Sequence, residues 1–292
     1  MTIPLPRPPV SRPFLRRGPD CIQVGTDPER AWVVDGLDPD VAHALVGLDG
    51  RTARHALVES RPDLAGVLSE LEEVGLLDGS EPAPAPGGRR ERLAADLASL
   101  AVRSGSRADA ARILARRARR GAVVRGTDRA AALVAVGLAA AGLGSVGLDG
   151  GDRTARSGDL TPMGPEEPGR SWHEQVAAAV RRQGAHPLMS TIRSRRPDVV
   201  VVCGAADTDL PWTDPARADD LLADGVTHLT VAVSGDAAVV GPLVIPGRTP
   251  CLWCLDRWRT ERDRAWPALA DQLRSRHAVA QAGDSALTSI AA

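Results

Sequence analysis

The sequence predicts an α/β protein, in which a sheet domain of alternating strands and helices follows a small α+β domain. Three observations predict it. Residues 122–124, 129–141 and 145–148 read as strand, helix and strand, with a Gly at the first turn and Gly142 stopping the helix, the repeating unit of a parallel sheet. Apolar runs of strand length follow at 199–203, 227–234 and 237–245. Ahead of all of these lies 79–88, GSEPAPAPGG, whose alternating Pro marks an extended linker.

The chain has 292 residues, 43% of them hydrophobic, enough to bury a full core and to divide into a smaller and a larger domain. It contains no Lys, Asn or Tyr, Phe14 is the only Phe, and all 36 basic side chains are Arg. The missing residues have AT-rich codons, so a GC-rich genome accounts for the bias. The arginines are therefore no sign of nucleic-acid affinity, and the net charge of -1 agrees. Without Lys, no GxxxxGK phosphate loop can exist and no ammonium can neutralise a nucleotide phosphate. Four Cys without a pairing framework fit a reducing compartment. The Pro-rich start does not read as a signal peptide, and no apolar run approaches the roughly 20 residues of a membrane span. A cytoplasmic protein with neither membrane nor nucleic acid as partner is expected.

Taken in order, 1–20 is Pro- and Arg-rich, and is expected to be a disordered or extended arm that adds little to any core. Residues 21–24 and 31–34 are apolar runs around a Gly/Asp/Pro turn, which is a hairpin pattern. Asp38 and Pro39 supply the N-cap and first-turn Pro of a helix that turns Val41, Ala44 and Leu45 inward and stops near 47–50. A short helix over 52–59 follows, then a third over 62–71 with Leu64, Val67, Leu68 and Leu71 on one face. His43 and His55 fall on helical stretches as surface or packing residues, without metal spacing.

Within 21–79, the phrases LVGLDGRTARHALVES and LAGVLSELEEVGLLDG resemble the small winged-helix-like peptide clamp of the PqqD type, a recognition element for ribosomal-peptide precursors. The resemblance implies that a leader peptide adds as an extra strand to the hairpin edge and lies along the third helix. Backbone hydrogen bonds would supply affinity, and the helix groove selectivity. By position the edge is Trp32, Val33 and Val34, and the groove is Leu64, Val67, Leu68 and Leu71. A winged helix that only packs on its neighbour, or one that binds DNA, shares the pattern, although Glu70, Glu72 and Glu73 in the reading helix disfavour DNA.

Beyond the linker at 80–88, Leu93, Leu97, Leu100 and Ala101 form the stripe of a helix that breaks at Gly105. A second helix runs from 108 into the arginines of 116–120, a solvated end that complements the helix dipole. The strand–helix–strand unit then opens with Gly126-Thr127-Asp128-Arg129-Ala130-Ala131, where a dinucleotide fold carries GxGxxG and only the first Gly is kept. Asp149 and Asp207 follow the strands at 145–148 and 199–203. Residues 207–220 read as a turn and helix cap around Asp214-Pro215, and Gly235-Asp236 as the hairpin joining the last two strands. The last strand ends at Pro246-Gly247 and delivers Cys251 and Cys254, after which 256–264 alternates charges at helical spacing. A CxxC at such a turn is half of a tetrahedral zinc site or a redox pair, and nothing local decides between them.

The stretch GPLVIPGRTPCLWCLDRWRTERDRAWP at 241–267 resembles the PxxPCxxC segment of ThiF-like, ubiquitin-activating-type proteins. The closer resemblance is to their actinobacterial branch of cyclodehydratase partners, which bind leader peptides of azole-peptide (TOMM) precursors. It implies a Rossmann-like, ThiF-type sheet domain over 89–292. In adenylating members the Gly-rich turn meets phosphate, an acidic residue after the second strand holds the ribose, an Asn-Leu-x-Arg-Gln segment handles ATP and a later Asp binds magnesium. The matching positions here are Gly126, Asp128, Asp149 and Asp207. Asp128 would set a carboxylate against the polyphosphate, and 157–162 keeps Leu160 but neither the Asn nor the Arg-Gln. The implied nucleotide site is vestigial and ATP is not expected; Asp149 and Asp207 also read as plain strand-end turn residues.

Zinc in this family needs a second CxxC, which the sequence lacks. Completing a site at Cys251 and Cys254 would call on Cys21, Cys203 or His277, none with a recommending spacing. Reduced thiols are favoured over zinc, and a redox role is disfavoured because the pair does not open a thioredoxin-like helix. Trp253, Trp258 and Trp266 read as packing anchors or the seam of a homodimer. Arg257, Arg259, Arg262 and Arg264 with Asp256, Glu261 and Asp263 read as a solvated face. Residues 284–292 read as the start of an apolar helix where family members continue, in a shortened member or one completed by a partner.

The expected function is a non-catalytic, leader-peptide-binding scaffold that presents a ribosomal precursor peptide to a modifying enzyme, in the family's case a YcaO-type cyclodehydratase. Such a protein supplies effective concentration and register. An adenylating enzyme with an unconventional site at Asp149, Asp207 and Arg side chains, and a winged-helix DNA-binding regulator, are the alternatives.

Overall fold

The computed structural model describes residues 13–29, 31–48, 54–74, 76–77, 88–104, 107–159, 167–188, 196–204, 214–234, 237–275 and 285–292. The chain divides into two compact units, Met1–Leu114 and Ala115–Ala292. The expected linker, apart from Gly88, lies outside the described residues, as do Asp207 and the turn at 235–236.

In the first unit β1 (Phe14–Arg16), β2 (Ile22–Val24) and β3 (Trp32–Val34) form an antiparallel sheet in that order. The hairpin β2–β3 is as expected, but β1 corrects the reading of 1–20 as an arm outside the core. Phe14, opposite Val24, is only 4% exposed. Burial of the ring, about 1.5–3 kcal/mol, and the pairing of β1 with β2 together offset the ordering of a three-residue strand, about 3–6 kcal/mol.

Helices α1 (Pro39–Val46), α2 (Arg54–Ser60) and α3 (Leu64–Glu73) cover the sheet. Asp38 caps α1, its carboxylate accepting from Asp40 N at 2.8 Å, with Pro39 in the first turn. Val41, Ala42, Leu45, Leu64, Leu68 and Leu71 close the core against Phe14, Ile22 and Val24. His43 and His55 are exposed. α4 (Arg89–Arg92), α5 (Ala94–Ser104) and α6 (Arg107–Arg117) follow, with Leu93 and Leu100 buried.

The second unit is mixed α/β. Its elements are β4 (Gly121–Arg125), α7 (Arg129–Ala140), β5 (Ser145–Asp149), α8 (Trp172–Arg182), β6 (His186–Leu188) and β7 (Val199–Cys203), then a 3-10 turn (Pro215–Ala218), α9 (Asp219–Ala223), β8 (His228–Ser234), β9 (Ala237–Val244), α10 (Leu252–Arg262), α11 (Trp266–Ser275) and α12 (Ser285–Ala291). The six strands lie in the order β6-β5-β4-β7-β8-β9, parallel except for β9. The chain winds from β4 first to one side and then, at β7, to the other. The switch point therefore lies between the C-terminal ends of β4 and β7, the place where open α/β sheets bind ligands.

Alternation along the strands explains their nearly unbroken apolar runs. Val124, Val146, Val201 and Cys203 pack with α7 and α8, whereas Val123, Val200 and Val202 pack with Ala218, Leu221 and Leu252 on the opposite face. α7 is buried without interruption from Ala130 to Val136. α8 and β6 were not expected. Ser171 and Glu174 were the legible signal, since Ser171 Oγ accepts from Glu174 N at 3.1 Å at the start of α8. No helix among the described residues is long and apolar enough to cross a membrane.

Candidate functional site

Three places carry the residues of interest, and the first is the edge of the small sheet. Among the described residues β3 pairs with β2 alone. Trp32 stands opposite Val24 and Val34 opposite Ile22, both wholly buried, so Trp32 and Val34 share the core face while Val33 lies on the other. Trp32 is nevertheless 50% exposed and Val33 43%. The inner apolar face of the sheet thus continues to its open margin, where a further strand would lay alternate side chains against Trp32 and Val34.

On α3 the structure corrects the groove. Leu64, Leu68 and Leu71 are buried core residues and line no open surface, while Val67 is half-buried. Leucines at this spacing are the stripe by which a small unit covers its sheet. α2 docks on one flank of α3 through Arg54, which donates to Ser69 Oγ at 2.7 Å and pairs with Glu72 at 3.3 Å. Helical spacing puts Val67, Glu70 and the following Val74 on the opposite flank. Val67 and Val34 both pack at the margin of the same core.

The second place is the switch-point crevice, where Gly126, Asp128 and Asp149 come together; Asp207 lies outside the described residues. Gly126 has φ 144°, and a Cβ there would stand 3.1 Å from Cys203 Cβ and 3.3 Å from Gly204 O. The positive φ favours glycine here, and the close approach of β4 and β7 leaves little room for a side chain. Asp128 is the N-cap of α7, accepting from Ala131 N at 2.7 Å. The residue is half-buried with its carboxyl enclosed by protein, and burial pushes its pKa up to about 6 against the opposing pull of the Ala131 N–H and of Arg153 and Arg217. The negative charge that a helix start attracts is here the protein's own.

Asp149 stands beside Arg125 in the β4–β5 register and accepts from its Nε at 2.8 Å. The two terminal nitrogens of Arg125 grip Asp220 at 2.9 and 2.7 Å, holding the Asp220 carboxyl below the usual range, and one also donates to Arg217 O at 2.8 Å. Arg153 forks onto Asp159 at 2.7 and 3.0 Å, donates to Thr127 O at 2.8 Å and lies 5.6 Å from the centroid of the Trp172 ring. Arg129 donates to Gly158 O at 2.6 Å and Ser285 Oγ at 2.8 Å. Three arginines around the first turn of α7 are thus committed to partners within the chain. Arg125 had a signal, as a charge ending a buried strand needs an acid beside it. Its partners become visible only in the register.

The third place is the CxxC. Cys251 is the N-cap of α10 and Cys254 lies in its first turn, with the two Sγ atoms 3.5 Å apart. The helix expected after the thiol-bearing turn thus begins at the pair itself, although the sheet around it is not that of a thioredoxin-like unit. The physical cause is Leu252, 2% exposed, which anchors the turn ahead of the charged run that marked the helix in sequence. Hydrogen bonds from the Cys251 backbone and thiol lower the pKa of Cys254.

Trp253 and Trp258 are about half exposed and are not packing anchors, although Trp253 Nε1 donates to Asp219 Oδ1 at 2.6 Å and the Arg262 guanidinium lies 3.8 Å from the Trp258 ring centroid. Trp266 donates to Asp256 at 2.8 Å beneath Arg259. Among the described residues no group of three or more His, Cys, Asp or Glu could hold a metal ion. Cys21 and Cys203 are buried, and His277 lies outside the described residues.

No protein-family model matches the chain, and no curated protein matches it. Solved structures do. One is Escherichia coli MccB with AMPCPP and selenomethionine MccA, with a TM-score of 0.64 at 17% identity over 98% of this chain and 85% of that one. A second is the microcin C7 biosynthetic enzyme MccB in complex with N-formylated MccA, with a TM-score of 0.59 at 15% identity and the same coverage. A third, a heterocyclase in complex with substrate and cofactor, has a TM-score of 0.56 at 15% identity, over 99% of this chain but 32% of that one. At these identities the likeness shows the fold.

Proposed function

We propose that this chain is a non-catalytic peptide-binding scaffold of ThiF-like type, which holds the leader of a ribosomal precursor peptide on the open edge of β3 and presents it to a modifying enzyme of the YcaO cyclodehydratase class. The observation that carries the reading is Trp32, on the core face of a strand at the sheet's edge yet half exposed. An extended peptide added there gains backbone hydrogen bonds and covers the indole. Support also comes from the crevice, where Asp128 occupies the start of α7 and Arg125 is spent on Asp149 and Asp220. A polyphosphate entering there would meet a carboxylate and would have to displace ion pairs. MccB with MccA is consistent with a peptide partner for the fold.

A second reading, an adenylating enzyme, draws on the same neighbour, which holds AMPCPP beside its MccA. The test is a selection from a random-peptide display library on the full chain, followed by hydrogen exchange and by calorimetry with ATP and magnesium. Expected are peptides that slow exchange of the β3 amides and lose at least about tenfold in affinity for Trp32→Ala, a loss of the size of one buried aromatic contact, with no heat from ATP. Micromolar ATP binding with pyrophosphate exchange would establish the enzyme instead. Peptides that bind without protecting β3 would remove the edge from the account.

A further inference from the structure

We infer that Cys251 and Cys254 form a dithiol–disulfide exchange site. Both thiols belong to the first turn of an eleven-residue helix, one as its cap and the other three residues on, and their Sγ atoms already stand 3.5 Å apart. Closing that gap to an S–S bond of about 2 Å brings the two sulfurs only about 1.5 Å nearer, a step on the scale of side-chain rotation. Cys254 is exposed and Cys251 partly so, which gives an incoming reagent access. A helix start favours the thiolate that such chemistry uses.

The remaining cysteines of the sequence do not compete. Cys203 is wholly buried in β7 and Cys21 is 8% exposed, so neither is offered to a reagent or a metal. A four-thiolate zinc site would need two further accessible cysteines that the sequence does not supply.

The oxidant is a low-molecular-weight or protein disulfide, R–S–S–R. Cys254, the more exposed, attacks one sulfur as thiolate. A Cys254–S–S–R bond forms, the R–S–S–R bond breaks, and the departing RS⁻ takes up the proton that Cys254 released. Cys251 then attacks the Cys254 sulfur, the intrachain disulfide forms, and a second RS⁻ leaves as RSH. Two protein thiols lose two electrons in all, and one disulfide becomes two thiols. Trp253 lies between the cysteines with its indole bonded to Asp219, so the change in this turn has a fluorescent reporter.

The test uses the full chain, equilibrated at stepped ratios of reduced to oxidised glutathione, trapped at neutral pH in the folded state by excess N-ethylmaleimide and weighed intact. Expected is the loss of both labels that the native chain accepts, in one two-electron step reversed by excess reduced glutathione and accompanied by a change in Trp emission. Cys251→Ser stalls as a single glutathione adduct on Cys254, and Cys254→Ser forms its adduct more slowly. Persistence of both labels at every ratio overturns the inference. So does independent modification of the two thiols, cross-linking between copies in place of the intrachain bond, or bound zinc that must be chelated before either thiol can be labelled.

Discussion

Replacing Asp128 by Asn tests the electrostatics of the crevice without removing its hydrogen bond, because Asn caps helices as well as Asp and can still accept from Ala131 N. The folded carboxyl has a pKa of about 6, raised by burial from the 3.8 of an ordinary aspartate. Between about pH 4 and pH 6 the folded chain therefore keeps a proton that the unfolded chain has released. Stability from this group is fully present below the unfolded pKa and is lost as pH rises through the folded one.

Integrating the linkage from about pH 4 to about pH 7.5 gives about 2.5 kcal/mol, and the residue's partial access to solvent lowers the expectation to about 2 kcal/mol. The Asn variant has no such loss. It also carries a pH-independent offset of about 1–3 kcal/mol from its enclosed amide. The readout is therefore a difference of differences: urea unfolding of both proteins at both pH values, with the variant gaining about 2 kcal/mol on the wild type as pH rises. Parallel pH profiles, agreeing within about 0.5 kcal/mol, would refute an enclosed, charged carboxylate at this cap.

Three further outcomes are expected. Phe14→Ala should cost about 3–4 kcal/mol in denaturant unfolding, against almost nothing for an arm residue. Arg125→Ala should cost about 2–4 kcal/mol by leaving Asp149 and Asp220 without their cation, and adding Asp149→Asn should recover part of it; a strictly additive double mutant would mean that the pair is not coupled. Ser171→Ala should cost about 1 kcal/mol, detected as a small fall in Tm, because Glu174 N loses its capping partner.

The second unit was legible where strands are long and buried on both faces. Residues 199–203 coincide with β7, and the first strand–helix–strand unit was found within a residue at its ends. β6 was missed because three residues, His186–Leu188, are too few for a period to show. The Leu64, Leu68 and Leu71 stripe was visible, but a periodicity says only that a face is apolar. Whether it meets the protein's own sheet or a visitor depends on which side that sheet lies. The crevice divided in the same way. Asp128 in place of a Gly could be read directly, whereas the grip of Arg125 on residues 24 and 95 positions away exists only once parallel register and crossover have put them together.

β3 is three residues long, and that length sets a ceiling. An added strand can gain some two to four backbone hydrogen bonds, each contributing about 1 kcal/mol net, so main-chain pairing alone reaches only millimolar affinity, near -4 kcal/mol. Covering about 150 Å² of apolar surface around Trp32 adds at most roughly 4 kcal/mol, which sets the ceiling at micromolar affinity before the cost of ordering the guest. With ordinary association near 10⁶ M⁻¹s⁻¹, a guest on this edge stays for at most about a second. On the proposed reading, so brief a stay would suit a docking point that passes its cargo onward, and it would make the indole, more than the backbone, the arbiter of which sequences stop there.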